Sequence, residues 1–276
     1  MELKDEYLCQ CNTRPIEHEG DYLVEDIIYC GKCNTPKQKI VNLLGKEMKI
    51  SCLCNCESER RQKAEQEDAI RRRSEKIEKL RMWCMPNSEM HKWTFEADDG
   101  NNEELTRICK NYVKHFDKFQ NDGTGLLLFG NVGCGKTYAA CEIANYLIDN
   151  GKAVPVRRFS ELVLKIQSNF EYQEEILAGL NRAPLIVIDD FGAERDTDYM
   201  YELIHLVING RYENGLPMII TTNLSADELM HPSDLRKERI YSRILKSCSP
   251  YEVKGIDRRI QSLKESFSET SKLLFE

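Results

Sequence analysis

Eight consecutive residues, Gly130-Asn131-Val132-Gly133-Cys134-Gly135-Lys136-Thr137, match the pattern G-x-x-x-x-G-K-[ST] at each fixed position. The flanks suit it. Gly125 to Phe129 reads GLLLF, an apolar run that suits a buried strand, and Tyr138 to Asp149 reads YAACEIANYLID, apolar along one helical face, with Asn150-Gly151 as a stop. Strand, glycine loop and helix in that order place backbone N–H groups around phosphate oxygens, and the helix N-terminus adds its partial positive charge. In such a loop Lys136 reaches the β- and γ-phosphates and Thr137 offers a hydroxyl to Mg²⁺. Gly130, Asn131, Val132, Gly133, Cys134, Gly135, Lys136, Thr137 and Tyr138 are the expected nucleotide-binding residues.

Apolar runs continue to alternate with helical patterns on both sides of the loop. A helical stripe over Glu103–Phe119 precedes it; strands are expected at Val154–Phe159, Leu185–Asp189 and Met218–Thr222, and helices at Ser160–Leu180 and Thr197–Arg211. This predicts an α/β domain with a parallel sheet covered by helices on both faces. From Ser225 onward the pattern predicts helices and loops only. The run Leu185–Asp190 ends in two acids: Asp189 is placed to serve Mg²⁺ or its waters, and Asp190 to orient or deprotonate an attacking water. Asn223 ends the next strand, where an amide can meet a γ-phosphate or hold the water, although asparagine at a strand end also forms turns. Arg239 and Arg243 share one helical face. That spacing serves surface ion pairs as well as an arginine aimed at a neighbouring subunit's phosphate. Asp257-Arg258-Arg259 adds further cations.

The head of the chain is different. Seven of the 12 cysteines, Cys9, Cys11, Cys30, Cys33, Cys52, Cys54 and Cys56, fall in the first 56 residues. The N-terminal stretch has no apolar core of a secretory signal and no run is long enough to span a bilayer, so a cytoplasmic protein is expected. In a reducing compartment clustered thiols point to metal. Cys30 and Cys33 form a C-x-x-C knuckle, and Cys54 with Cys56 is the chosen second pair for a structural Cys₄ zinc site. Cys52 can replace either member of that pair, and Cys9 and Cys11 remain alternatives. Residues 57–82 carry charges of both signs at i, i+4 spacing, with Ile70, Ile77 and Leu80 as a thin apolar seam and Arg71-Arg72-Arg73 as a basic run. The expected division is a zinc module over 1–56, a charged helical linker over 57–92 and an ATPase domain over 93–276. Net charge is −7, so any nucleic-acid contact must come from a local patch.

The CxxC…CxC head, GNVGCGKT, IDDFGAE, INGRYENGLPMIITTNLS and ERIYSRIL followed by GIDRR together resemble the DnaC/DnaI-type replicative helicase loaders of the AAA+ ATPases, especially forms from phages and prophages of Gram-positive bacteria. IDDFGAE and TTNLS are shared with the related IstB transposition ATPases. The resemblance implies an AAA+ P-loop fold, ATP and Mg²⁺ as ligands, and roles for single residues. Lys136 and Thr137 match Walker A. Asp189 and Asp190 match Walker B, with aspartate where many AAA+ proteins carry glutamate, which bears on how efficiently ATP is hydrolysed. Asn223 matches sensor 1, Arg243 the arginine finger with Arg239 as helper, and Arg258 sensor 2, with Arg259 as competitor. It further implies self-association through the ATP interface, a hexameric replicative helicase held by the zinc module and charged helix, and single-stranded DNA on the inner surface. Arg157, Arg158, Lys165, Phe159 and Phe170 are the residues considered for DNA contact. An IstB-like transposition helper and a nucleotide-gated, non-hydrolysing adaptor are the alternatives.

Overall fold

The computed structural model describes residues 19–43, 45–168, 173–193, 197–232, 234–255, 257–258 and 274. Cys9, Cys11, Phe170 and Arg259 lie outside the described residues. The chain forms two compact units, Met1–Glu75 and Lys76–Glu276, with the division falling inside one helix.

The first unit is built from two antiparallel hairpins, β1 (Tyr22–Val24) with β2 (Ile27–Tyr29) and β3 (Gln38–Leu43) with β4 (Lys46–Ser51), followed by the start of α1 (Asn55–Cys84). Its described residues hold little apolar material inside. Tyr22, Leu23, Val24, Ile40, Leu43 and Leu53 are exposed, while Cys30, Cys54 and Lys37 are buried. The Lys37 ammonium is neutralised by Asp21. A segment this short with thiols for a core needs a staple.

The second unit carries a five-stranded parallel sheet in the order β6-β7-β8-β5-β9. Its strands are β5 (Gly125–Phe129), β6 (Val156–Arg158), β7 (Ile186–Phe191), β8 (Met218–Thr222) and β9 (Cys248–Glu252). The helices are α2 (Glu103–Lys114), α3 (Phe116–Asp122), α4 (Lys136–Asp149), α5 (Phe159–Ser168), α6 (Gln173–Arg182), α7 (Asp198–Glu213), α8 (Ala226–Met230) and α9 (Leu235–Ser247). Alternate residues of the strands face opposite layers, as the pleat requires. Leu126, Leu128, Val187 and Ile219 pack with α2 and α4; Leu127, Ile186, Ile188 and Ile220 pack with α5, α7 and α9. The expected α/β architecture is therefore present.

Three local expectations change. Beyond Ser225 the chain returns to the sheet as β9, which pairs with β5 and places Pro250 opposite Leu127. Proline is tolerated there because β9 is an edge strand, and CSPYE lacks the apolar run that marks the inner strands. The single helix expected over Ser160–Leu180 is described as two, α5 and α6. The charged helix also has two characters. Ile70 is exposed, whereas Ile77 and Leu80 pack against the core of the second unit. There Arg81 donates to Asn145 and Asp149 of α4, and Asn145 donates to the carbonyls of Met90 and Trp93 at 2.8 Å each.

Arg211 and Glu142 are two of the charged groups buried in this unit. Arg211, fully enclosed, donates to the carbonyls of Leu180, Ala183 and Pro217 at 2.7, 3.1 and 2.6 Å, tying the end of α6 to the entry of β8. Glu142, on α4, is 2% exposed, and its Oε1 has no hydrogen-bond partner among the described residues. Burial pushes its carboxyl up from 4.5 to about 8, with Asp98 adding to the rise and Lys110 and Arg258 opposing it. The folded chain therefore holds a proton that the unfolded chain has already released between those two values, so stability falls as pH rises through that window. Glu142→Gln is expected to flatten this decline and to raise the melting temperature above wild type near pH 8, read by thermal denaturation from about pH 5 to about pH 9.

Candidate nucleotide-binding site and cysteine cluster

The glycine loop leaves β5 and turns into α4 through left-handed backbone that only glycine adopts without strain. Gly130 has φ 138°, and a Cβ there would stand 2.5 Å from the Val253 carbonyl oxygen; Gly133 has φ 78°, and a Cβ would meet the Asp257 carboxylate at 1.9 Å. Lys136, the first residue of α4, is 7% exposed and donates to the carbonyls of Gly130 and Asn131 at 2.8 and 2.6 Å. Cys134 donates its thiol to the Asn131 carbonyl. The loop is thus held open around its own lysine.

Because β8 lies between β5 and β7, three strand ends converge beside this loop. Asp189, 2% exposed, accepts at Oδ1 from the hydroxyls of Thr137 and Thr221, both at 2.7 Å, while its Oδ2 lies 3.7 Å from Arg158 Nε. The pairing of β7 with β8 is irregular between Ile188 and Phe191, and Asp190 there takes φ 58°, with its N–H donated to Thr221 Oγ1 at 3.0 Å. A bulge of this kind re-aims a side chain that a regular pleat would send away. The Asp190 carboxylate accepts from Asn223 Nδ2 at 3.0 Å.

The result is one cavity of about 450 Å³ lined by Val132, Gly133, Gly135, Lys136, Thr137, Tyr138, Asp189, Asp190, Asn223 and Arg258, joined by Trp93, Arg158 and Thr221. Arg258 closes one side. Its N–H donates to the Gly133 carbonyl at 3.1 Å, its guanidinium pairs with Asp99 at 3.2 Å, and it stands 3.5 Å from the Cβ position of Gly135. The Trp93 and Tyr138 rings lie 5.8 Å apart at the rim. Trp93, Thr221 and Arg158 were not singled out for this site by sequence pattern. Thr221 did have a signal, a hydroxyl two residues before the strand-end amide, whereas Trp93 and Arg158 are brought in by the fold alone.

Arg243 is elsewhere. It is half-buried on α9, with Nη1 2.9 Å from His205 Nε2 of α7, and it does not line this cavity; Arg239, one turn earlier, is exposed. The residues considered for DNA contact also separate. Phe159 is 1% exposed in the core and offers no stacking face. Arg157 is spent on structure, donating to the carbonyls of Trp83, Cys84 and Val156. Arg158 belongs to the cavity just described, and Lys165 is exposed.

In the first unit the Sγ atoms of Cys30, Cys33, Cys54 and Cys56 all lie within 4.8 Å of one another. A tetrahedral zinc tetrathiolate needs S–S separations of about 3.8 Å, from Zn–S bonds of about 2.3 Å. The cluster already has 3.5 Å between Cys30 and Cys56 and 3.4 Å between Cys54 and Cys56, so the residues fit that ion. The Thr35 hydroxyl, 3.1 Å from Cys33 Sγ, holds that thiol below its ordinary value, while the neighbouring cysteines push Cys56 up. Cys52 turns away, its thiol directed at the Pro36 carbonyl.

The family model described as IstB-like ATP binding protein matches residues 58–266. The chain belongs to the IstB-like ATP-binding family. The match contains the whole nucleotide cavity and leaves the cysteine cluster outside it. Among curated relatives, the replicative helicase loader DnaI of Bacillus subtilis is 31% identical over 163 residues, covering 54% of this chain and 52% of that protein. YqaM of the same organism, uncharacterised, is 28% identical over 239 residues, 84% of this chain and 70% of the relative. The chain thus spans only about half the length of the loader it matches. The crystal structure of the DnaC helicase loader superposes with a TM-score of 0.53 at 24% identity, covering 61% of this chain and 100% of that one. The two chains therefore share a fold.

Metal analysis of the reduced protein is expected to find about one zinc per chain. Cys54→Ser and Cys56→Ser are expected to lose it, and Cys52→Ser to keep it.

Proposed function

We propose that this IstB-like protein is an ATP-driven loader of a replicative DNA helicase onto single-stranded DNA. The observation that carries the ATPase part is the convergence of Lys136, Thr137, Asp189, Asp190 and Asn223 on one cavity, with Arg243 outside it on a different helix. The cavity holds its own Arg158 and Arg258, and Arg243, the arginine that the resemblance assigns as finger, is proposed to act on the site of a neighbouring subunit.

In this reading the backbone amides of Gly133 to Thr137 hold the β-phosphate, and Lys136 exchanges its loop carbonyls for β- and γ-phosphate oxygens. Thr137 and Asp189 are the residues that would hold Mg²⁺, which would supply neutralising charge to the phosphates. Asp190 and Asn223, already hydrogen-bonded to each other, orient the attacking water and sense the γ-phosphate. Arg258 holds the nucleotide from its own subunit, and Arg243 stabilises the transition state in the next. Asp190 has a shorter reach than glutamate, so intrinsic turnover is slow and rises when partners or DNA tighten the interface.

The helicase part is supported by the similarity to DnaI. The cysteine module, held by structural zinc, and the exposed stretch of α1 are the proposed grip on the helicase. For DNA, a cavity of about 420 Å³ offers Lys165 and Arg182 beside the exposed Trp83, with Leu162 and Ile176 as its apolar wall. Cations next to an aromatic face suit an unpaired strand. The matched family's IstB description favours one second reading, a transposition helper that binds duplex DNA. Among the described residues no helix is long and apolar enough to cross a membrane.

Lys136→Ala is expected to abolish nucleotide binding and turnover together. Arg243→Ala is expected to spare binding and lower turnover by about a hundredfold or more, read in a steady-state phosphate-release assay with single-stranded DNA. Co-elution with the replicative helicase, lost on removal of residues 1–80, supports the loader; preferential duplex binding without helicase co-elution supports the transposition helper.

A further inference from the structure

Arg158 has no place in the scheme above, although it lines the cavity. It ends β6, the edge strand next to β7, so its side chain leaves the sheet beside Asp189. Its Nε lies 3.7 Å from Asp189 Oδ2 and its Nη1 3.8 Å from Glu161 Oε1 in the first turn of α5. The three groups differ in surroundings: the Asp189 side chain is 3% exposed, Arg158 50% and Glu161 63%. The two oxygens of Asp189 also have different company, since Oδ1 takes the hydroxyls of Thr137 and Thr221 and Oδ2 faces the guanidinium.

A buried carboxylate is costly without a compensating charge. Among the described residues Arg158 is the cation that forms an ion pair with it. A divalent cation held between Thr137 and Asp189 would supply the same compensation from the loop side. Two cations within a few ångströms of one carboxylate in a partly dehydrated cavity repel each other. The guanidinium has somewhere to go, because Glu161 stands within reach and faces water.

We propose that Arg158 is the resident counter-charge of Asp189 and that it sets the metal requirement of the nucleotide site, giving up Asp189 for Glu161 as a divalent cation enters. The inference rests on the reading of Asp189 as the metal-side acid. It makes the first turn of α5 a direct neighbour of the metal state.

The test is a Mg²⁺ titration of fluorescent ATP-analogue binding to the full chain, each variant referenced to its own affinity in EDTA. In Arg158→Gln the half-saturating Mg²⁺ concentration is expected to fall about two- to fivefold, the range of one half-exposed ion pair. Arg158→Lys, which keeps the charge, is expected to stay near wild type. Glu161→Gln is expected to raise the requirement, because the arginine then has only Asp189. An unchanged or raised requirement in Arg158→Gln overturns the proposal, as does a shift of Glu161→Gln in the same direction as Arg158→Gln. Asp189→Asn separates the two levels. If it removes the Mg²⁺ dependence while Arg158→Gln leaves it untouched, the metal-side reading stands and the counter-charge falls. If Asp189→Asn keeps the wild-type requirement, both fall.

Discussion

Burying a carboxylate in the middle of a sheet demands that several elements be placed together, and Asp189 makes that demand here. It is 2% exposed and survives there through two hydroxyl donors and a guanidinium. Those groups come from three different elements: Thr137 from α4, Thr221 from β8 and Arg158 from β6. Correct pairing of the three strands and correct seating of the glycine-loop helix are therefore read out at one oxygen pair. The same contacts hold the cavity in shape before any phosphate arrives. A partly satisfied network at this depth would cost more than an apolar core.

Beside it, Asp190 shows how a pleated strand places two successive side chains in one site. Regular alternation would separate them. The irregular pairing between Ile188 and Phe191, the left-handed Asp190 backbone and the Thr221 hydroxyl on its N–H bring the second carboxylate round to Asn223. Thr221 thus serves both acids, one through its hydrogen and one through its oxygen. A backbone held in a costly region at such a place is a common mark of a working site.

The two units rest on different physics. The second buries aliphatic side chains on both faces of its sheet and pins a buried arginine with three carbonyls. Among its described residues the first exposes most of its larger aliphatic side chains and buries the thiols of Cys30 and Cys54. A metal ion held by the four clustered cysteines would supply folding energy that apolar area does not. Leu23, Ile40, Leu43 and Leu53 stand exposed on this unit.

Much of the site was legible in the chain because its parts are local. The glycine loop needs consecutive residues, the acids end an apolar run, and Cys30 and Cys33 are close neighbours in sequence, so short-range pattern carries them. The β9 strand was not legible, because an edge position lets a polar, proline-containing segment pair where an inner strand needs an apolar run. The choice of Cys54 and Cys56 over Cys52 needed the turn into α1, which points Cys52 at the Pro36 carbonyl. Strand order was decided by packing, and with it the meeting of Asn223 with Asp190 and of Arg158 with Asp189. The sequence by itself determined the phosphate-binding loop, the alternation of strands and helices and the thiol cluster, since each follows from spacing along one stretch of chain. Only the tertiary structure decided which distant side chains share a cavity, because contacts between strands far apart in sequence depend on sheet order, register and one bulge that no local period encodes.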